Sequence, residues 1–273
     1  MTTQNRTRPH QPLVSIIIPA KNEARNLEVV LPRLPDVHEV ILVDGHSVDG
    51  TVEAARRVMP SIRIVHQTRK GKGNALACGF AAATGDIVVM FDADGSADPA
   101  EINRFVQALL DGADFAKGSR FCEGGGSEDI TRFRALGNYG LNFLANRVLK
   151  TRYTDLCYGY NAFWTDILHH LDLPDHRVAS FDRSMLWGDG FEIETVINCR
   201  IAAARLRVVE VGSVERLRIH GESNLNAVRD GIRVLKTIGA ERQRARRLVT
   251  TRSGAPVVYD DIAGVMEADE LSA

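Results

Sequence analysis

The sequence predicts an α/β fold, a mostly parallel sheet with helices on both faces, and two observations carry that prediction. Short apolar, β-branched runs alternate with amphipathic stretches from residue 14 to about 119, and βαβα order with short links is how parallel sheets are built. At 273 residues, 44% hydrophobic and 25% charged, the chain has the size and composition to bury a full core.

Strands are expected at 14–18, 40–43, 62–65 and 87–91, with a shorter one at 115–116. Between them, apolar residues recur at helical spacing over 25–31, 51–58, 72–83 and 99–110. The last of these opens on Asp98-Pro99, an N-cap followed by a proline in the first turn. Beyond 119 the alternation weakens. Glu123-Gly124-Gly125-Gly126-Ser127 reads as a loop, 130–149 as a helix, 155–164 as an aromatic, irregular segment and 172–190 as a long loop. A helix then runs from Glu192 and Glu194 to about 204, followed by a strand at 206–211, a segment at 215–225 and a basic helix at 226–248. The expected organisation is a flexible tail at 1–12, one domain at 13–248 made of halves 13–120 and 121–248, and an acidic tail at 249–273.

A formal net charge of −1 gives no global field for nucleic acid, so charged partners must be sought in local patches. Cys78, Cys122, Cys157 and Cys199 are far apart, form no CxxC pair and read as reduced structural thiols. No run approaches the ~18–20 apolar residues of a membrane helix. The first twelve residues are polar and lack a signal-peptide core, so a cytoplasmic protein is expected.

Open α/β sheets bind ligands beyond the carboxyl ends of their strands, and four strand ends here carry polar or glycine-rich segments. They are Pro19-Ala20-Lys21-Asn22-Glu23, the run from Asp44 to Thr51, Arg69-Lys70-Gly71-Lys72-Gly73-Asn74, and Asp92-Ala93-Asp94-Gly95. In extended chain, Asp92 and Asp94 point to one face and repel unless a cation lies between them. Two carboxylates holding a divalent ion leave open positions for a diphosphate, and oxygen ligands favour Mg²⁺ or Mn²⁺ over zinc. Gly71-Lys72-Gly73 is neither a P-loop nor a GxGxxG turn, yet it opens a helix whose free N–H groups and lysine suit an anionic or polar ligand. Asp155, Glu192 and Glu194 are the candidate acid/base carboxylates. Asp155 is favoured because it precedes the irregular 157–163 stretch, and of the two glutamates only one should face the site. His169, His170 and His176 have no acidic partner at ligand spacing and read as surface residues.

The series PAKNE, VDGHSVDGT, GKGNALACGFAAATGD, FDADG, GSR, RALGN, DLCYGYNAF, FEIE and RLRIHGESNL, in that order, resembles the family-2 glycosyltransferases. Within them it most resembles the soluble polyprenyl (dolichyl) phosphate sugar synthases, over residues 14–238. The resemblance implies a GT-A fold, a nucleoside-diphosphate sugar donor such as GDP-mannose or UDP-glucose, a divalent metal, and inversion at the anomeric carbon. It implies that the first half binds the nucleotide sugar and the second the acceptor, at the cytoplasmic membrane face. Carried across, Pro19, Asn22, Glu23 and Asp44 line the nucleoside pocket, and Asp92 and Asp94 hold metal and diphosphate. Arg120 and Arg134 face the phosphates of donor and lipid acceptor. Arg216, Arg218 and Ser223 lie in a late segment that closes over the site.

Three positions depart from the pattern. Gly45 replaces the usual second Asp, which leaves the base open; Ser96 stands where a Gln is common; and Asn224 replaces a Lys. They keep alive a soluble hydroxyl acceptor, a metabolite or natural product. A third reading, a non-catalytic nucleotide-sugar-binding protein, is opposed by the intact Asp92/Asp94 pair. The basic helix carries Arg229, Arg233, Lys236, Arg242, Arg244, Arg246 and Arg247 on one side and Val228, Ile232, Leu235 and Ile238 on another. That pattern fits a helix lying on anionic lipid, and equally one packed on the domain with its basic side in water.

Overall fold

A computed structural model describes residues 8–178, 185–221 and 227–252. Ser223, most of the expected N-terminal tail and nearly all of the expected acidic tail lie outside them. The elements in order are β1 (Val14–Ala20), α1 (Ala24–Val30), β2 (Glu39–Asp44), α2 (Thr51–Val58), β3 (Arg63–His66), α3 (Lys72–Ala82), β4 (Ile87–Met90), α4 (Ile102–Leu110) and β5 (Phe115–Ser119). The second half adds β6 (Gly126–Ser127), α5 (Arg132–Leu149), β7 (Asn161–Trp164), α6 (Leu168–Leu171), α7 (Ile193–Ala203), β8 (Val208–Gly212), β9 (Val214–Glu215) and α8 (Ala227–Arg252).

Seven strands form one sheet in the order β3-β2-β1-β4-β7-β5-β8, and β6 pairs with β9 beside it. Neighbours are parallel except around β7, which runs antiparallel to both β4 and β5. Strand alternation splits the core. Ile16, Ile18 and Leu42 pack with Leu27, Ala55 and Phe105 of α1, α2 and α4. Ile17, Ile41 and Val43 pack on the other face with Leu76 of α3 and Ile197 of α7. Each fully buried aliphatic side chain contributes about 2 kcal/mol, so the rim rests on a stiff base.

The expected strands and helices of the first half form with small shifts at their ends. The 155–164 stretch is not wholly irregular, since Asn161–Trp164 is the interior strand β7, between β4 and β5. Both its faces are buried, so it lacks the alternation that marks a half-exposed strand. Strand β5 continues through the buried polar residues Lys117 and Ser119. Helix α5 starts at Arg132, where the Thr131 hydroxyl accepts from Arg134 N. Helix α8 extends into the expected tail and is fastened to the domain by a buried ion pair between Arg200 and Glu241, 2.9 Å.

Candidate active site

The parallel strands β1 to β4 end on one rim, and beyond β4 the chain turns to present Asp92 and Asp94 there. Each already has a tethered cation. Lys72 Nζ lies 2.7 and 3.0 Å from the two oxygens of Asp92 and 2.8 Å from Glu194 Oε1. Burial disfavours the charge on Lys72, but the charges of Asp92 and Glu194 outweigh it and raise the lysine's pKa. Asp94 Oδ1 accepts from Ser96 N and Oγ at 3.0 and 2.8 Å, while Asp94 Oδ2 faces Arg218 Nη2 at 3.0 Å. Ser96 therefore orients Asp94.

Among the described residues no cluster of three or more His, Cys, Asp or Glu side chains could hold a metal by itself. Asp92 and Asp94 offer hard oxygen donors on partly open side chains, which suits Mg²⁺ or Mn²⁺ with most of the coordination shell left to a ligand. The residues fit such an ion.

Beside the Asp92/Asp94 pair, a cavity of about 550 Å³ is lined by Lys21, Asn22, Glu23, Asn26, Arg218 and His220, among others. Asn22, in the left-handed region at φ 58°, ties the loops after β1 and β2 together. Its Oδ1 accepts from Val48 N, and its N–H donates to Ser47 Oγ, both at 2.9 Å. Pro19 sits within β1, one residue before its end. Asp44 is buried and accepts the backbone N–H groups of His46 and Ser47, with His66 Nδ1 3.3 Å away, so it shapes the turn after β2. Gly45 has a steric reason. A Cβ there would lie 3.1 Å from Lys21 Cβ and 3.2 Å from Ala20 O.

The start of α3 does not offer the free N–H groups expected of it. Gly73 N and Asn74 N donate to Asp189 O at 2.6 and 3.2 Å. A Cβ at Gly73 would fall 1.8 Å from Gly188 O. Arg69, buried, clamps the same loop by holding the Asp189 carboxylate at 2.6 and 3.0 Å and donating to Asp175 O. Sequence reasoning missed this clamp because its partner is 120 residues away.

The second half departs most from expectation. Arg120 has only 8% of its side chain exposed, with Nε 2.6 Å and Nη2 3.0 Å from the two Asp155 oxygens, Nη1 3.0 Å from Glu215, and its guanidinium 5.1 Å from the Tyr158 ring centroid. Its donors are spent on the protein. Asp155 has no exposed surface. Burial opposes its ionisation, but hydrogen bonds and charge from Arg120 hold its pKa below the usual carboxylate value. A carboxylate so enclosed braces Arg120 and has no open oxygen for a substrate proton. Of the two glutamates, Glu194 faces the site, while Glu192 accepts from Gly188 N and Gly190 N at 3.1 Å. Arg134 pairs with Asp129 at 2.9 Å and Arg216 with Asp98 at 3.0 Å, both with part of the side chain open. Thus Asp92, Asp94, Glu23 and Lys72 come together with Arg218 and Glu194, while Arg120 and Asp155 form a separate buried pair.

The sequence model for Glycosyl transferase family 2 matches residues 15–172, more than half of the chain. The dolichol-phosphate mannosyltransferase of Pyrococcus furiosus is 30% identical over 220 residues, 78% of this chain, which spans only 59% of that protein. The undecaprenyl-phosphate mannosyltransferase of Micrococcus luteus is 31% identical over 223 residues, 78% of this chain and 87% of that one. The polyprenol monophosphomannose synthase of Mycolicibacterium smegmatis is 32% identical over 66% of this chain and 74% of its own. Among solved structures, glucosyl-3-phosphoglycerate synthase from Mycobacterium tuberculosis in complex with phosphoglyceric acid superposes with a TM-score of 0.65 at 23% identity, covering 85% of this chain and 80% of that one. Its complex with Mn²⁺, uridine diphosphate and glucosyl-3-phosphoglycerate gives 0.58 at 22% identity, covering 90% and 81%. The structural likeness speaks for the fold and the sequence matches for the family: the chain is a member of glycosyltransferase family 2 with a GT-A fold.

Proposed function

We propose that the protein moves a hexose, with inversion, from a nucleoside-diphosphate sugar to a polyprenyl phosphate at the cytoplasmic membrane face. The observation that carries this is the Asp92/Asp94 pair beyond β4, bordered by Lys72, Glu194 and Arg218 beside the 550 Å³ cavity. Mannose is the leading sugar because the relatives above are mannosyltransferases and a phosphomannose synthase; GDP-mannose is the first donor to test and UDP-glucose the second.

Asp92 and Asp94 would hold Mg²⁺ or Mn²⁺, which when bound supplies positive charge at the leaving diphosphate. Glu23, Asn22 and the turn shaped by Asp44 border the nucleoside, and Lys72 bridges the Asp92 and Glu194 carboxylates, 2.7 Å from the one and 2.8 Å from the other. A phosphate-monoester acceptor is already ionised near neutral pH and needs no general base. A second reading, a hydroxyl acceptor, is favoured by Glu194, whose carboxylate stands at the rim beside Lys72 and is of the residue type that takes a hydroxyl proton.

Contact with a membrane is supported by α5, which turns Leu136, Tyr139 and Phe143 (71, 72 and 68% exposed) to one side, with Arg132 and Arg147 on the same helix. On α8, Ile232 and Leu235 are exposed while Ile238 and Glu241 anchor the helix inward, so it is packed and amphipathic at once. Among the described residues no helix is long and apolar enough to cross a membrane. The test is incubation with Mn²⁺, radiolabelled GDP-mannose or UDP-glucose, and undecaprenyl phosphate in detergent. Lipid-linked label is expected; nucleotide release that ignores lipid and responds to a soluble alcohol would favour the second reading.

A further inference from the structure

Arg218 is the cation placed on Asp94, and its setting is unusual. Its guanidinium forks between two carboxylates from different strand ends, Nη1 3.0 Å from Glu23 Oε1 and Nη2 3.0 Å from Asp94 Oδ2. The segment carrying it is strapped down on both sides. Arg216 N donates to Ser96 O at 2.8 Å, Ile219 N to Asp94 O at 3.1 Å, and Asn26 Nδ2 to His220 O at 3.1 Å. Ile219 also packs on Gly95, where a Cβ would fall 2.4 Å from its Cδ1. With Ser96 on the other oxygen, both oxygens of Asp94 are engaged. Around this point four carboxylates, Glu23, Asp92, Asp94 and Glu194, face two cations, Lys72 and Arg218. The Arg218 ion pair sits on the Asp94 oxygen that Ser96 leaves open, so a divalent ion reaching for that oxygen must share it with, or displace, the guanidinium.

Resting on the donor-site reading above, we infer that Arg218 competes with the divalent cation for Asp94, so that metal binding depends on the nucleotide. A nucleoside diphosphate offers the guanidinium a better anion within the cavity Arg218 already lines, and drawing it away opens Asp94. Linkage then requires each ligand to tighten the other by the same factor. The competition gives Arg218 a signature no purely structural side chain has: its removal helps the metal and hurts the nucleotide.

The experiment titrates the full-length protein with MnCl₂ alone, read by the electron-paramagnetic-resonance signal of free Mn²⁺, and with GDP and UDP alone by calorimetry, then with both together. In the wild type, Mn²⁺ alone should bind weakly and the cognate diphosphate should tighten it at least about tenfold. In Arg218→Gln, Mn²⁺ alone should bind about fivefold tighter, the size expected from losing one partly exposed ion pair, while metal-free diphosphate binds more weakly. Arg218→Lys, which keeps the charge, should hold Mn²⁺ alone within about twofold of wild type. Loss of both affinities in R218Q would assign Arg218 to holding the strap together and overturn the inference. So would wild-type Mn²⁺ binding that ignores nucleotide, or tightening in R218K as large as in R218Q. If Mn²⁺ binds and Asp94→Asn abolishes that binding, the metal site stands whatever Arg218 does. If Mn²⁺ binds under none of these conditions, that reading falls and the inference with it.

Discussion

Asp155→Asn separates a brace from a base. Both Asp155 oxygens meet the Arg120 guanidinium at 2.6 and 3.0 Å, with Asp155 fully buried and only 8% of the Arg120 side chain exposed. Removing one partner of a buried ion pair costs about 3–5 kcal/mol because the other charge is left without its counter-ion. Glu215, 3.0 Å from Arg120 Nη1, stays in place and Asn keeps one acceptor oxygen, so the low end, about 3 kcal/mol, is expected. At ~2–4 °C per kcal/mol for a domain of this size, the melting temperature should fall by about 6–12 °C at pH 7. The sign with pH follows from the lowered pKa of Asp155. Its ionised form contributes stability above the ordinary carboxylate pKa, and that contribution is lost as pH falls through the folded value. The gap between wild type and D155N should therefore narrow on acidification below about pH 4. Melting by circular dichroism across pH, with transfer rates at 20 °C, measures both sides. A variant that melts within about 2 °C of wild type yet loses more than a hundredfold in rate would refute the bracing role and restore Asp155 as a general base.

Three further outcomes follow from other parts of the molecule. Gly73→Ala forces a Cβ to within 1.8 Å of Gly188 O, so it should detach the 185–190 loop from α3, seen as new proteolytic cleavage there, while Gly137→Ala, with open space around it, should be cut like wild type. Burial pushes the thiols of Cys157 and Cys199 up to about 12, so neither should be alkylated by iodoacetamide at pH 8 in the native protein, and both should be after guanidinium denaturation, as read by mass spectrometry. Tyr139→Glu with Phe143→Glu should reduce sedimentation with anionic vesicles at least about fivefold while leaving Mn²⁺ and nucleotide binding intact; unchanged sedimentation would remove α5 from any membrane contact.

Much of the first half was legible because its signals are local. Four strands with alternating helices place four strand ends on one rim, and the acidic pair after β4 needs no distant partner to be noticed. The second half was hidden because its meaning is set by contacts far along the chain. Arg120 in Gly-Ser-Arg has the same letters whether it meets a phosphate or a buried Asp155 and Glu215, and only the fold brings those carboxylates to it. Lys72 looked like a ligand-facing lysine at an open helix start, yet Asp189 O caps that start and Asp92 with Glu194 hold the ammonium. Strand β7 escaped notice because four residues buried on both faces carry no period. That only one of Glu192 and Glu194 faces the site followed from helix geometry; which one required Lys72 to be placed.

The most direct measurement compares wild type with Asp94→Asn in Mn²⁺-dependent transfer from radiolabelled GDP-mannose or UDP-glucose to undecaprenyl phosphate. Lipid-linked product in the wild type, lost on chelation and reduced to below about 1% in D94N with an unchanged melting temperature, is the predicted result. Turnover in D94N close to that of the wild type would contradict the assignment of Asp92 and Asp94 as the heart of the site.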